Sequence, residues 1–221
     1  MKKTIAQFPN VIFGGAVLSS GIVSPPKALD GYGPNFSLTS YQQFEHVINV
    51  NLLGTYCVAQ KVSEILLKNE PMNQDGERGI IITVSSILGL DGLIVGYGTS
   101  KGIFTKCAFI KSNLIYSNHL AGIAGLTLPL AKELSPFGIR VMSIAPGVFG
   151  KIMCKFAFFF LNFNKTLLDT PIVDRSSNTT PLALFPKRLG NPNEFADLVL
   201  QIIQMPMLNG SVIRLDGALR A

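Results

Sequence analysis

The sequence predicts an α/β protein built on a parallel sheet with helices on both of its faces. Of the 221 residues, 48% are hydrophobic and only 14% are charged, a balance typical of parallel sheets whose strands are buried on both sides. Short apolar runs alternate along the chain with segments of helical spacing. This order of strands and helices favours one doubly wound domain over residues 1–221.

The first predicted strand, at residues 11–18, is a short apolar run that contains Gly14 and Gly15. Because glycine has no side chain, the backbone at this pair can approach a ligand closely. Residues 19–40 contain several prolines and glycines, and this composition indicates a loop. We therefore expect one strand followed by a long connection.

A long helix is predicted after this loop, from residue 41 to about residue 67. Thr39 or Ser40 can cap it, because a hydroxyl accepts a hydrogen bond from the free amide groups of the first turn. Asn51 lies among the apolar positions of this helix. It is interpreted either as a residue that caps or bends the helix or as a polar group of a functional site.

A second strand is predicted at residues 79–86, a continuous apolar run that ends in Ser85 and Ser86. Open α/β sheets bind their ligands at the carboxyl ends of their strands, so these hydroxyls are expected in a binding crevice. A glycine-containing loop follows and leads to Tyr97. The later helices are predicted at 125–134 and 193–204 and the later strands at 138–145, which ends at the dipeptide 146–147, and at 210–217.

The segment YGTSK contains Tyr97 and Lys101, which are four positions apart. On a helix these two side chains share a face and can point into one cleft. An ammonium next to a phenol favours the phenolate and lowers the tyrosine pKa, so the two form a usable acid–base pair. The motif alone is weak, because this spacing is also common on surface helices.

The composition argues against several other classes of protein. The net charge is +6, but no stretch of five basic residues occurs, so a nucleic-acid groove is not indicated. The three cysteines show no CxxC spacing and the two histidines are far apart, so neither a disulfide framework nor a metal site is expected. A reducing compartment fits this cysteine usage best.

No membrane or secretory segment is expected either. The apolar run at 152–163 is too short to cross a bilayer and contains Lys155. The first residues are basic and are followed by apolar residues, but Gln7, Pro9 and Asn10 interrupt that pattern. This interruption, with no clear cleavage site after it, argues against a secretory signal.

Several motifs occur together in one order and spacing, and in this combination the chain resembles the short-chain dehydrogenase/reductase family. The resemblance covers most of the chain from about residue 40 onward and implies a Rossmann-like sheet. The ending LNGSVIRLDGALR narrows it to members that act on 3-hydroxyacyl-CoA or hydroxysteroids. The matching segments are 50–55, 79–86, 97–102, 122–150, 186–190 and 208–220.

The resemblance assigns a catalytic role to four residues. Tyr97 would be the general acid/base, and Lys101 would lower its pKa and hold the nicotinamide ribose. Ser86 would polarise the substrate oxygen, with Ser85 as the alternative because Ser86 lies slightly closer to the tyrosine than is usual in the family. Asn51 would support a water relay to the lysine.

The resemblance also implies the cofactor and the partners. NAD would bind through the tyrosine and lysine together with Pro146, Gly147 and Phe149, and Gly15 would match the glycine of the family's Asn-Ala-Gly turn. The implied substrate is an acyl-CoA or a steroid, the implied assembly a homotetramer, and the implied location the mitochondrion, otherwise the cytoplasm. Association with RNA-processing partners is implied by the family alone, and no metal is implied.

Three features depart from the family pattern. The strand and glycine-rich turn that open the family's domain, its first βαβ part, have no match, so the sheet is expected to be incomplete at its N-terminus. About nineteen residues (103–121) and about fifteen residues (151–165) are additional. They are interpreted either as retained introns, with a missed exon at the front, or as loop insertions of a divergent paralogue.

Two functions therefore remain open from the sequence. The first is an NAD-dependent dehydrogenase. The second is a chain of impaired catalysis that acts, if at all, as a non-catalytic subunit through association, which the missing glycine-rich turn favours. Nucleotide binding separates the two, because a ligand that binds only the folded state raises its thermal stability.

Overall fold

The computed structural model describes residues 7, 11–23, 39–92, 95–102, 122–149 and 183–220. Within these residues four strands form one sheet, in which sequential strands are neighbours and every pair is parallel. This confirms the predicted α/β fold with a Rossmann-like parallel sheet. The strands are β1 (Gly15–Leu18), β2 (Gly79–Val84), β3 (Ile139–Pro146) and β4 (Val212–Leu215).

The helix predicted over 41–67 is present, but it contains a π-helical turn in its middle. A capping box between Ser40 and Gln43 starts it, and the three parts follow one another without a break. Thr55 donates a hydrogen bond from its hydroxyl to the Asn51 carbonyl at 2.6 Å, which satisfies an acceptor in the widened turn. The parts are α1 (Tyr41–Ile48), the π-helical turn (Asn49–Leu53) and α2 (Gly54–Leu66).

The remaining described helices differ from the predictions mainly at their ends. A short helix occupies part of the predicted loop after β2, because Ser86 caps a turn there instead of continuing the strand. The first strand begins four residues later than predicted, since its pairing with β2 starts at Gly15 opposite Ile80. These helices are α3 (Ile87–Leu90), α4 (Val95–Lys101), α5 (Ile123–Leu134) and α6 (Pro192–Gln204).

The sheet separates two apolar layers. On one face, residues of α2 and α5 pack against Ile81 and Val141. On the other face, Ile202 of α6 packs against Ile82 and Met142. Successive strand residues point to opposite faces, and burial of β2 and β3 on both faces explains why apolar residues predominate along both of these strands.

The helices α4 and α5 meet end to end at a junction of three glycines. A Cβ atom added to Gly122 would lie 2.6 Å from the amide nitrogen of Gly102, and one added to Gly89 would lie equally close to that nitrogen. The amide of Gly125 donates to the Gly102 carbonyl at 3.4 Å. The two segments predicted as insertions, 103–121 and 151–165, lie outside the described residues.

None of the helices in the described ranges combines the length and the apolar character that crossing a bilayer requires.

Candidate functional site

The predicted catalytic residues converge at the carboxyl end of β2. Ser85 and Ser86 follow the last residue of this strand, and α4 carries Tyr97 and Lys101 on successive turns. Asn51 reaches the same place from the π-helical turn, where its side chain is fully buried. The fold thus brings three chain segments to one point although up to fifty residues separate them in sequence.

Lys101 is a buried cation at the centre of this cluster. Its side chain is only 2% exposed, and its Nζ donates to the carbonyl of Val84 at 2.8 Å. Within the described part of the chain it forms no ion pair. Because burial disfavours the charged form, the lysine pKa falls from 10.5 to about 8. The ammonium is therefore still mostly charged at neutral pH and is poorly shielded by water.

Asn51 connects the segment after β1 to helix α4. Its Oδ1 accepts from the Ile22 amide at 2.7 Å, and its Nδ2 donates to the Ile22 carbonyl at 2.9 Å. The same Nδ2 donates to Ser100 Oγ at 2.9 Å, and Ser100 in turn donates to the Tyr97 carbonyl. All polar atoms of this amide are thereby engaged, so the asparagine holds a fixed orientation.

The two serines play different structural parts. Ser85 donates from its hydroxyl to the carbonyl of Lys101 and so links β2 to the end of α4. Ser86 is the N-cap of α3, and its Oγ accepts from the Leu88 amide at 3.2 Å. Since the Ser86 hydroxyl uses a lone pair for the cap, its proton remains available for donation to a substrate oxygen.

Gly15 is not brought to this cluster. It lies at the amino end of β1 against the backbone of Ile80. Gly21, three residues beyond the carboxyl end of β1, lies next to the cluster instead. A Cβ added to Gly21 would lie 3.2 Å from Lys101 Nζ and 3.3 Å from Asn51 Oδ1. Gly21 was not predicted from the sequence, because the strand end that places it next to the site is fixed by the pairing of β1 with β2.

Pro146 is the last residue of β3, and Gly147 and Phe149 follow it at the same edge of the sheet. Val84 of β2 pairs with Ile144 of β3, and Ser86 and Pro146 lie two residues beyond this pair in their respective chain segments. Phe149 turns away toward α6, where its ring meets Phe195 edge to face at 6.4 Å between centroids. It lines a separate cleft of about 190 Å³ next to the end of β4.

The site can move a proton and stabilise a negative oxygen. A phenol, a desolvated ammonium and a hydroxyl on adjoining segments provide an acid–base group, a charge and a hydrogen-bond donor. Among the described residues no group of three or more His, Cys, Asp or Glu side chains is placed to hold a metal ion.

A family model described as short chain dehydrogenase matches residues 30–108. The chain is 40% identical over 182 residues to the 3-hydroxyacyl-CoA dehydrogenase type-2 of Rattus norvegicus, a match that covers 81% of this chain and 56% of the relative. It is 39% identical over 181 residues to the enzyme of the same name from Homo sapiens, with the same coverage. The chain therefore spans little more than half the length of these relatives.

A solved structure shares the fold over the whole chain. The crystal structure of 3-hydroxyacyl-CoA dehydrogenase type-2 from Mycobacterium avium superposes with a TM-score of 0.69 at 29% identity. The match covers 100% of this chain and 72% of that one. Both comparisons thus point to the same kind of protein as the sequence motifs.

Proposed function

Because the chain belongs to the short-chain dehydrogenase/reductase family, we propose that it provides the catalytic part of an NAD-dependent dehydrogenase. The proposed substrate is a 3-hydroxyacyl-CoA, or a hydroxysteroid of similar shape. The observation that carries the proposal is Lys101, a buried ammonium one helical turn from Tyr97.

In the proposed reaction the chain positions the substrate oxygen and moves its proton. Ser86 donates a hydrogen bond to the substrate oxygen, and the Tyr97 phenolate takes the hydroxyl proton. The Lys101 ammonium lowers the tyrosine pKa, because a positive charge in a dry site favours the phenolate. Asn51 holds Ser100 and Ile22 in place around this group. NAD, when bound, would accept the hydride.

The described residues fit the nicotinamide end of such a cofactor. Gly21 lets the backbone pass close to Lys101 Nζ and Asn51 Oδ1, where a Cβ would crowd both atoms. Pro146 and Gly147 lie at the carboxyl end of β3, at the same edge of the sheet as Ser86. We propose that these residues hold the nicotinamide and its ribose, with the lysine ammonium donating to ribose hydroxyls. A homotetrameric assembly and a mitochondrial location are part of the proposal by family likeness.

The direct test is NAD reduction by the purified chain with 3-hydroxybutyryl-CoA, followed by absorbance of NADH. Tyr97→Phe removes the acid–base group, and we expect turnover to fall by about 10²–10⁴-fold. Tyr41→Phe is the matched control, because Tyr41 is 73% exposed and should leave turnover unchanged. Equal activity of the two variants would contradict the proposed role of Tyr97.

A second candidate is a chain that binds partners without catalysis. The feature that favours it is that no stretch of the given sequence matches the family's glycine-rich turn. Thermal denaturation with millimolar NAD separates the two candidates. A rise in the midpoint supports the dehydrogenase, and an unchanged midpoint together with no turnover supports the non-catalytic chain.

A further inference from the structure

A cluster of charges ties β4 to the segment that carries Ser86. Arg214 of β4 donates from its two terminal nitrogens to the Asp91 carboxylate at 2.7 and 2.9 Å. Its Nε donates to Asp216 at 2.7 Å. The side chains of Arg214 and Asp91 are 23% and 12% exposed, so this fork is better shielded from water and salt than an ordinary surface pair.

Asp91 lies at the end of α3, a helix of only four residues. So short a helix has no stability of its own, and its position is determined by what holds its ends. Ser86 caps the first end, and Asp91 closes the second with its amide on the Ile87 carbonyl at 2.8 Å. The Arg214 fork therefore anchors α3 from the end opposite the serine.

The middle of α3 rests on the catalytic helix. A Cβ added to Gly89 would lie 2.6 Å from the carbonyl carbon of Lys101. A shift of α3 would therefore displace Ser86 and would open the contact with Lys101 at the same time. The short helix α3 thus connects Ser86 to Lys101, and the ion pair of Asp91 with Arg214 connects α3 to the sheet.

Arg214 is also connected, through Asp216, to the loop after β3. Asp216 accepts the Arg214 Nε hydrogen bond, and its backbone packs against Gly147, where an added Cβ would lie 2.9 Å from the Asp216 Cα. Gly147 also donates from its amide to the Leu215 carbonyl at 2.9 Å. The cluster therefore touches both walls of the crevice, the Ser86 side and the Gly147 side.

We propose that Arg214 and Asp91 are positioning residues that set the distance between Ser86 and the Tyr97–Lys101 helix. The proposal rests on the proposed dehydrogenase function, because it assigns a role in that reaction. Neither residue touches the reacting atoms. Both act through α3, so their loss lowers the rate of the chemical step while nucleotide binding persists.

The test compares this fork with a pair of similar burial at the other end of the sheet, Arg140 and Glu77, whose side chains are 8% and 14% exposed. In Asp91→Asn and Arg214→Met we expect kcat to fall about tenfold to a hundredfold, with KM for NAD changed less than about threefold. The double variant should be no worse than Arg214→Met alone, because that variant already removes the contact with Asp91. Glu77→Gln should lower thermal stability and leave kcat unchanged.

Conservative variants sharpen the result. Asp91→Glu keeps the carboxylate and should retain most of kcat. Arg214→Lys should not, because a single ammonium cannot serve Asp91 and Asp216 together. A loss of kcat in Glu77→Gln equal to that in Asp91→Asn would overturn the proposal.

Amide hydrogen exchange tests the anchor without activity. The amides of Gly89, Leu90 and Asp91 are bonded within α3, and they should exchange about tenfold faster in Asp91→Asn but not in Glu77→Gln. If the wild-type chain turned over no substrate, the proposed dehydrogenase function would be wrong. The exchange measurement would still show whether Asp91 and Arg214 hold α3 in place. Unchanged exchange in Asp91→Asn would refute it.

Discussion

The two ends of the sheet each bury a cation, and they do so in opposite ways. Arg140, at the amino end, is 6% exposed and pairs with Glu77 at 2.8 Å. Its terminal nitrogens also donate to four backbone carbonyls at and beyond the end of α6. Lys101, at the carboxyl end, is 2% exposed and, among the described residues, donates to the carbonyl of Val84.

The difference separates a stabilising cation from a reactive one. Arginine has five donors in a fixed fork, and the fold satisfies them at the end where no ligand is expected. The lysine has three donors and is held without a carboxylate among the described residues, so its charge remains available to a phenolate or a ribose. Burial of a charge without a counter-ion costs stability, and a cost of this kind is typical of functional sites.

The largest expected effect is a contrast in stability between two methionine variants. Arg140→Met leaves Glu77 and the α6 carbonyls without their partner, and we expect the free energy of unfolding to fall by about 3–5 kcal/mol. Lys101→Met replaces a buried charge, which has no ion-pair partner in the described ranges, with an apolar chain and should leave stability equal or higher. Urea denaturation followed by circular dichroism measures both, and equal losses would remove the distinction.

The pH dependence of stability tests the lysine alone. The Lys101 pKa lies at about 8 in the folded chain against 10.5 for an ordinary lysine, so between these values the unfolded chain binds more protons. The free energy of unfolding therefore rises with pH in this window, by about 3 kcal/mol in total, and the contribution is constant outside it. The difference between wild type and Lys101→Met isolates it from other groups. A difference independent of pH would contradict the lowered pKa.

A smaller effect is expected at the glycine next to the lysine. Gly21→Ala places a methyl group 3.2 Å from Lys101 Nζ, and we expect a loss of about 1–2 kcal/mol together with weaker nucleotide binding. Gly14→Ala is the matched control, since its nearest neighbour, the Met72 sulfur, lies 3.9 Å away. Thermal denaturation with and without NAD compares the two variants, and identical behaviour would show that Gly21 is not confined.

The smallest effect is expected for a cation at the surface. Lys61 pairs with Glu64 at 2.8 Å, but both side chains are more than half exposed. Lys61→Met should therefore leave the denaturation midpoint without a measurable change, because solvent screens such pairs. A large shift of the midpoint would mean that ion pairing, rather than burial, determines how much these cations contribute to stability.

Much of the fold follows from local patterns. β2 and β3 were predicted because every residue in them is buried, which leaves runs in the sequence that are mostly apolar. The helix ends were nearly right where a capping residue marks them, as Ser40 and Asn191 do. The π-helical turn was not predicted, since one extra residue in a turn hardly alters apolar spacing.

The site was harder to predict where it depends on distant contacts. The spacing of Tyr97 and Lys101 suggested a pair, and the structure places both on α4. Gly15 was predicted in place of Gly21 because the strand was expected to start at residue 11, whereas pairing with β2 starts at Gly15. The backbone carbonyls that bind Arg140 are 62 to 68 residues away in sequence, and no local pattern predicts them.

The end-to-end contact of α4 and α5 has a consequence for engineering. If residue 122 followed residue 102 directly, Gly125 would stand four positions after Gly102, and the hydrogen bond between them would be an ordinary α-helical one. The two flanks already share this hydrogen bond, so the junction is the natural place to excise the intervening stretch or to graft a peptide or reporter.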